Sequence, residues 1–204
     1  MKLKYLFIII ISLLAACKSQ VVKQHDNEKI NEVKEADEIS GESIFNLTSA
    51  WYNEEGQALH LADLKGKVLV IVMIYTSCQA ACPRLVADIK DLHAKVPARL
   101  SDKVQYILVS IDPLHDTPEK LKSFAISRGM DGNEWTFLQG TPGSVREFAN
   151  VLSVKYKEIS PANFSHSNII SVFSEGGELV HQAEGLGVNN KETIEAIIKT
   201  TEEL

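Results

Sequence analysis

Several things are missing from this chain, and each absence narrows its function. Basic residues are not in excess: Lys and Arg number 21 against 27 Asp and Glu, for a net charge of −6. With no basic patch or stripe standing out, nucleic acid is not an expected partner. Nothing repeats at a solenoid period. No apolar run reaches the roughly 20 residues that span a bilayer comfortably. Cysteine is scarce, with three in 204 residues. Cys78 and Cys82 are spaced C-x-x-x-C, so the C-x-x-C redox motif is lacking. A structural zinc site, which wants four ligands and usually paired C-x-x-C units, cannot be built from these thiols alone.

What remains is an ordinary globular composition, 24% charged and 45% hydrophobic, with a length that suits one domain plus some extra sequence. The extra sequence lies at the start. "MKLKYLFIIIISLLAACKSQ" places Lys2 and Lys4 before an apolar run over 6–14, then Ala15 and Ala16 before Cys17. This is the pattern of an export signal. "LAAC" resembles a bacterial lipobox, in which cleavage precedes the cysteine and the cysteine is acylated. A signal peptide over 1–16 and a lipidated Cys17 are therefore expected. They put the protein in a bacterial cell envelope, lipid-anchored to a membrane and facing the periplasm or exterior. The following stretch to residue 43 is rich in charged and amide residues and reads as a flexible tether. The folded domain is expected over 44–204.

Within that domain "VLVIVMIY" (68–75) and "VQYILVSID" (104–112) are continuous apolar, β-branched runs. Such runs are typical of central parallel strands buried on both faces. Leu85, Ile89, Leu92 and Val96 mark one face of a helix that opens near Pro83. A second helix is predicted from Thr117 as N-cap and Pro118 at N1, stopping at Gly129. "EWTFLQG" reads as a strand, and Ser144 with Glu147 has capping-box spacing at the start of a third helix. "NIISVFSEGGELVHQAEG" reads as a hairpin turning at Glu175-Gly176-Gly177, ahead of a closing helix. Strands alternating with helices predict an α/β fold, with a central mixed, mostly parallel sheet flanked by helices and a C-terminal antiparallel hairpin. A dithiol at the end of the first buried strand, opening the first helix, is the thioredoxin-like arrangement.

Once Cys17 is lipidated, two cysteines remain, and in an oxidising compartment a pair is expected. Residues at i and i+4 have Cβ atoms roughly 5–6 Å apart, near the range in which a disulfide closes with little strain. The same spacing brings two sulfurs toward one point, and thiolates are preferred ligands of soft ions such as Cu(I). Three readings stay open on the residues alone: a redox switch, a soft-metal clamp, or an inert bridge. A metal would need a further donor. His25 lies in the tether, and His60 and His93 are expected on the surface. His115 follows a parallel strand, His181 is inside the second hairpin strand, and His166 lies on a polar loop just before a strand.

Taken together, "YTSCQAACP", "VSIDPLHDTPEKLKSFA" and "SHSNIISVFSEGGELV" resemble the Sco (SenC) family of copper proteins over the chain from about Phe45 onward. The resemblance implies a thioredoxin-like fold with copper, as Cu(I) or Cu(II), held by Cys78, Cys82 and His166. The two cysteines would double as a redox disulfide. It also implies that Asp112 matches a family aspartate near the metal, orienting a loop or meeting a partner. The implied role is a metallochaperone that assists assembly of the copper site of a respiratory enzyme such as cytochrome c oxidase, with a thiol-disulfide reductase as a further partner. The alternative is an exported thiol-disulfide oxidoreductase on the same fold. The family often has proline after the first cysteine; here that position is Gln79.

Overall fold

The computed structural model describes residues 39–78, 82–187 and 190–204. The expected signal peptide, Cys17, His25 and most of the expected tether lie outside the described residues. Nine strands and four helices follow. The strands are β1 (Ala50–Asn53), β2 (Ala58–His60), β3 (Val68–Ile74), β4 (Val104–Ser110), β5 (Trp135–Gln139), β6 (Tyr156–Ser160), β7 (Asn163–His166), β8 (Ile169–Phe173) and β9 (Leu179–Glu184). The helices are α1 (Cys82–Lys95), α2 (Pro118–Arg128), α3 (Pro142–Val151) and α4 (Lys191–Glu202).

Among the described residues seven strands form one mixed sheet in the order β2-β1-β5-β4-β3-β8-β9, and β6 and β7 pair with each other. The parallel pairs are β3–β4 and β4–β5, at the centre of the sheet. The leading β1–β2 hairpin adds antiparallel to β5, and β8 adds antiparallel to β3, so the sheet is antiparallel toward both edges. Helices flank it, giving the thioredoxin-like α/β fold expected from the alternation of strands and helices.

The two apolar runs are the central strands, and every residue of β3 and β4 is buried. Burial on both faces is why each reads as an unbroken run rather than an alternation. In α1 the buried residues include Leu85, Ile89 and Leu92. Helix α2 carries the predicted Thr117 cap, Pro118 at its start and Gly129 in the left-handed region at φ 60°. Gly129 serves because a residue without Cβ adopts that conformation at little cost.

Helix α3 differs from the expectation. Its cap is Thr141, with Pro142 next and Ser144 closing the capping box in return. Glu147 instead accepts from Ser49. The β6–β7 hairpin, with Ala162 at φ 56° in its turn, is an element the apolar pattern does not show. His166 ends β7 rather than lying on a loop.

Candidate metal centre

The site is assembled where β3 ends. Its last residues lead into Tyr75, Thr76, Ser77 and Cys78, and the described part of α1 opens with Cys82. Both cysteines are buried and are thiols rather than a disulfide. The Cys82 backbone N–H donates to the Cys78 sulfur at 3.3 Å. An amide aimed at sulfur favours the thiolate, the form that reacts and binds metal.

β7 brings the third group. His166 Nε2 lies 3.9 Å from the Cys82 sulfur. The other ring nitrogen, Nδ1, is 3.0 Å from the Ser167 carbonyl oxygen. A carbonyl can only accept, so Nδ1 carries the proton and the Nε2 lone pair is presented to the sulfur. Burial holds the His166 imidazolium below the usual histidine range, against a smaller opposing effect from the Ser167 carbonyl. The neutral, ligating ring is favoured.

The Cys82 thiol is tuned the other way. Burial first, and then the neighbouring Cys78 and the Asp116 carboxylate, push Cys82 well above the usual thiol range, with a hydrogen bond to the Tyr75 backbone opposing them. Burial, followed by a hydrogen bond with the Cys78 thiol, pushes the Tyr75 phenol up to about 12.

Asp116 is a residue that the sequence did not single out. Completely buried, it accepts from the Thr76 backbone N–H at 3.0 Å, from the Thr76 hydroxyl and from the Ser110 hydroxyl at 2.6 Å. It therefore ties the loop after β4 to the turn that carries Cys78. Asp112, four residues earlier, bonds His115 Nδ1 at 2.8 Å. Its other oxygen is buried with no hydrogen-bond partner among the described residues, and Asp112 lines a cavity of about 580 Å³ with Leu114, His115, Arg146 and Phe164.

The remaining described histidines are engaged elsewhere. His60 is exposed, and His93 is half-buried against Tyr106 and Trp135. His181 bonds Thr193.

Among the described residues no three His, Cys, Asp or Glu side chains already form a metal cluster. The Cys82–His166 pair nonetheless passes a simple test. A metal about 2.3 Å from sulfur and about 2.0 Å from an imidazole nitrogen separates the two donors by roughly 3.5–4.3 Å between tetrahedral and linear angles. The observed 3.9 Å falls inside that span.

Fold and site together define a class: a thioredoxin-like domain with a thiol pair at the end of its central strand and an imidazole brought beside it by a separate hairpin. The SCO1/SenC family pattern matches residues 36–202, and the chain belongs to that family. It is 37% identical over 98 residues to the SCO1 protein homolog of Bacillus subtilis strain 168, covering 48% of this chain and 50% of that one. The match thus spans about half the length of that relative. A SCO1/SenC family lipoprotein of Bacillus anthracis is 25% identical with a TM-score of 0.65, over 76% of this chain and 91% of that one. ScoI of Bradyrhizobium japonicum, solved with copper bound, shares the fold at 24% identity and a TM-score of 0.63, over 76% and 97% of the two chains.

Proposed function

We propose that this chain is a membrane-anchored copper carrier of the cell envelope, which holds one copper ion as cargo between Cys78, Cys82 and His166. It passes the ion to a copper site under assembly in a respiratory enzyme such as cytochrome c oxidase. The observation that carries this reading is the 3.9 Å approach of His166 Nε2 to the Cys82 sulfur, with the ring held in its ligating tautomer. Copper in the Bradyrhizobium structure supports the choice of metal, and the lipoprotein character of the Bacillus anthracis relative supports an anchor at Cys17. No helix among the described residues is long and apolar enough to cross a membrane.

Two thiolates and one imidazole suit Cu(I), which tolerates low coordination, whereas Cu(II) would draw a further ligand. Loading displaces the proton that burial holds on Cys82, while His166 enters already neutral. A low-coordinate ion remains open to an incoming ligand from the recipient. Joining Cys78 and Cys82 in a disulfide removes both sulfurs, so loading is gated by redox state and a thiol-disulfide reductase is the natural second partner. The oxidoreductase alternative is less well served, because it has no need of an imidazole, and His166 Nε2 is brought to 3.9 Å from the Cys82 sulfur. Asp112, bonded to His115 and lining that cavity, serves to orient the loop or to meet a partner rather than to ligate the ion.

The test is a Cu(I) titration of the reduced full chain against a chromophoric competitor. One equivalent, bound more weakly after His166→Ala and lost after oxidation of the thiols, is the expected result. Binding indifferent to His166, with turnover of disulfide substrates, would instead select the oxidoreductase.

A further inference from the structure

The three residues between β3 and Cys78 point alternately in two directions, and each finds a partner far along the chain. Thr76 goes to Asp116. Tyr75 and Ser77 go to the β6–β7 hairpin. The Tyr75 hydroxyl is 3.1 Å from the Phe164 carbonyl oxygen and 3.2 Å from Asn163 Oδ1, and it also meets the Cys78 thiol. The Ser77 hydroxyl donates to the Ala162 carbonyl at 3.0 Å. The three acceptors are consecutive residues, and His166 follows Phe164 by two positions on the same strand. The Tyr75 ring also meets Phe164 edge-on at 5.3 Å and His166 at 5.9 Å between centroids.

These contacts matter because of what the hairpin lacks. β6 and β7 form their own two-stranded sheet, apart from the seven-stranded one, and no residue of either strand is fully buried. An isolated two-stranded hairpin is marginal in water. Its ladder fixes its internal register and says nothing about where it sits against the cysteines. Ala162, whose carbonyl Ser77 holds, has φ 56°, a conformation disfavoured for a residue with Cβ.

We propose that Tyr75 and Ser77 are positioning residues, a two-point clip through which the cysteine turn itself sets the distance of His166 from the sulfurs. Neither residue supplies a ligand. Ser77 acts through the Ala162 carbonyl in the hairpin turn, and Tyr75 through Asn163 and Phe164 while its hydroxyl also meets the Cys78 thiol, so β3 and α1 fix the sulfurs and the clip fixes the nitrogen. As a statement about copper, this rests on the ligand set proposed above; as a statement about the hairpin, it does not.

The experiment uses the full, reduced chain as wild type, Tyr75→Phe, Ser77→Ala and the double variant, each also with His166→Ala. Tyr75→Phe keeps the ring, and Ser77 is exposed, so at least the serine variant retains the fold. Amide hydrogen exchange, without metal, is read at residues 163–166 with β3 as the internal reference. The double variant should exchange roughly tenfold or more faster in the hairpin and unchanged in β3, as loss of two hydrogen bonds implies. Unchanged hairpin exchange, or an equal rise in β3, would overturn the clip. Cu(I) affinity, measured by competition, should fall about fivefold in Ser77→Ala, which leaves the Tyr75 bond to the Cys78 thiol in place, and not fall further when His166 is already alanine. An equal loss with and without His166 would also overturn it. Should wild-type binding prove independent of His166, the copper reading fails, and the exchange result alone decides whether the clip exists.

Discussion

β3 and β7 both end at the candidate site, and they are built in opposite ways. β3 is buried along its whole length and pairs with β4 on one edge and β8 on the other. β7 alternates exposed and half-buried residues and, among the described residues, pairs with β6 alone. Cys78 therefore follows a strand buried along its whole length and Cys82 opens α1, whereas the imidazole stands on a hairpin outside the main sheet. A site divided in this way can keep its sulfurs in place while the third donor arrives or leaves. That suits cargo that must be released.

Truncation should expose the contrast most strongly. Ile71→Ala in β3, fully buried, should cost about 2–5 kcal/mol by equilibrium denaturation. Ile159→Ser in β6, 61% exposed, should change stability by no more than about 0.5 kcal/mol. Comparable losses at the two positions would mean that the hairpin is as deeply integrated as the sheet.

Next comes the tie that holds the cysteine turn down. Asp116→Asn replaces an acceptor oxygen with a donor in a pocket of three donors and should cost about 1.5–3 kcal/mol. Asp112→Asn, with one hydrogen-bonded oxygen, should cost less. The same denaturation series checks the order.

Acid and alkali should act on the two halves separately. His166 is lowered in the fold, so below about 6.5 the unfolded imidazole takes a proton that the folded one resists. Stability then falls as the pH drops, and His166→Gln should flatten that limb. Cys82 is raised in the fold, so above about 9.0 the unfolded thiol ionises while the folded one keeps its proton. Stability falls as the pH rises, and Cys82→Ser should flatten this limb. Denaturation midpoints from pH 5 to pH 10, an interval of about 5 units around those two ordinary values, would show whether each limb follows its own residue.

The smallest effect belongs to the hairpin turn. Ala162→Gly relieves a left-handed residue, worth about 1 kcal/mol, but frees the unfolded chain by about 0.5–1 kcal/mol. A net change within about 0.5 kcal/mol is expected.

The same contrast decided what the sequence could disclose. β3 and β4 announce themselves because burial on both faces demands unbroken apolar runs. The Thr117-Pro118 start of α2 was legible, and the identical Thr141-Pro142 pair at the head of α3 could have been read in the same way. "SVRE" drew attention instead, because capping-box spacing also occurs by chance inside a helix. β6 and β7 carry no continuous apolar face, so no periodicity marks them, and His166 looked like a loop residue. Of the two aspartates in "DPLHDTP", spacing could not say which faces the cysteine turn. The roles of Tyr75 and Ser77 depend on acceptors more than 80 positions away. Only the fold brings them together.

The central claim is that two sulfurs from the turn after β3 and the start of α1 share a single ion with one nitrogen from the hairpin. Copper-edge X-ray absorption on the reduced full chain, loaded with one equivalent of Cu(I), tests it most directly. The account predicts two sulfur scatterers and one imidazole nitrogen, with the nitrogen lost in His166→Ala and both sulfurs retained. A first shell that keeps its nitrogen in that variant, or that holds no sulfur in the wild type, would contradict it.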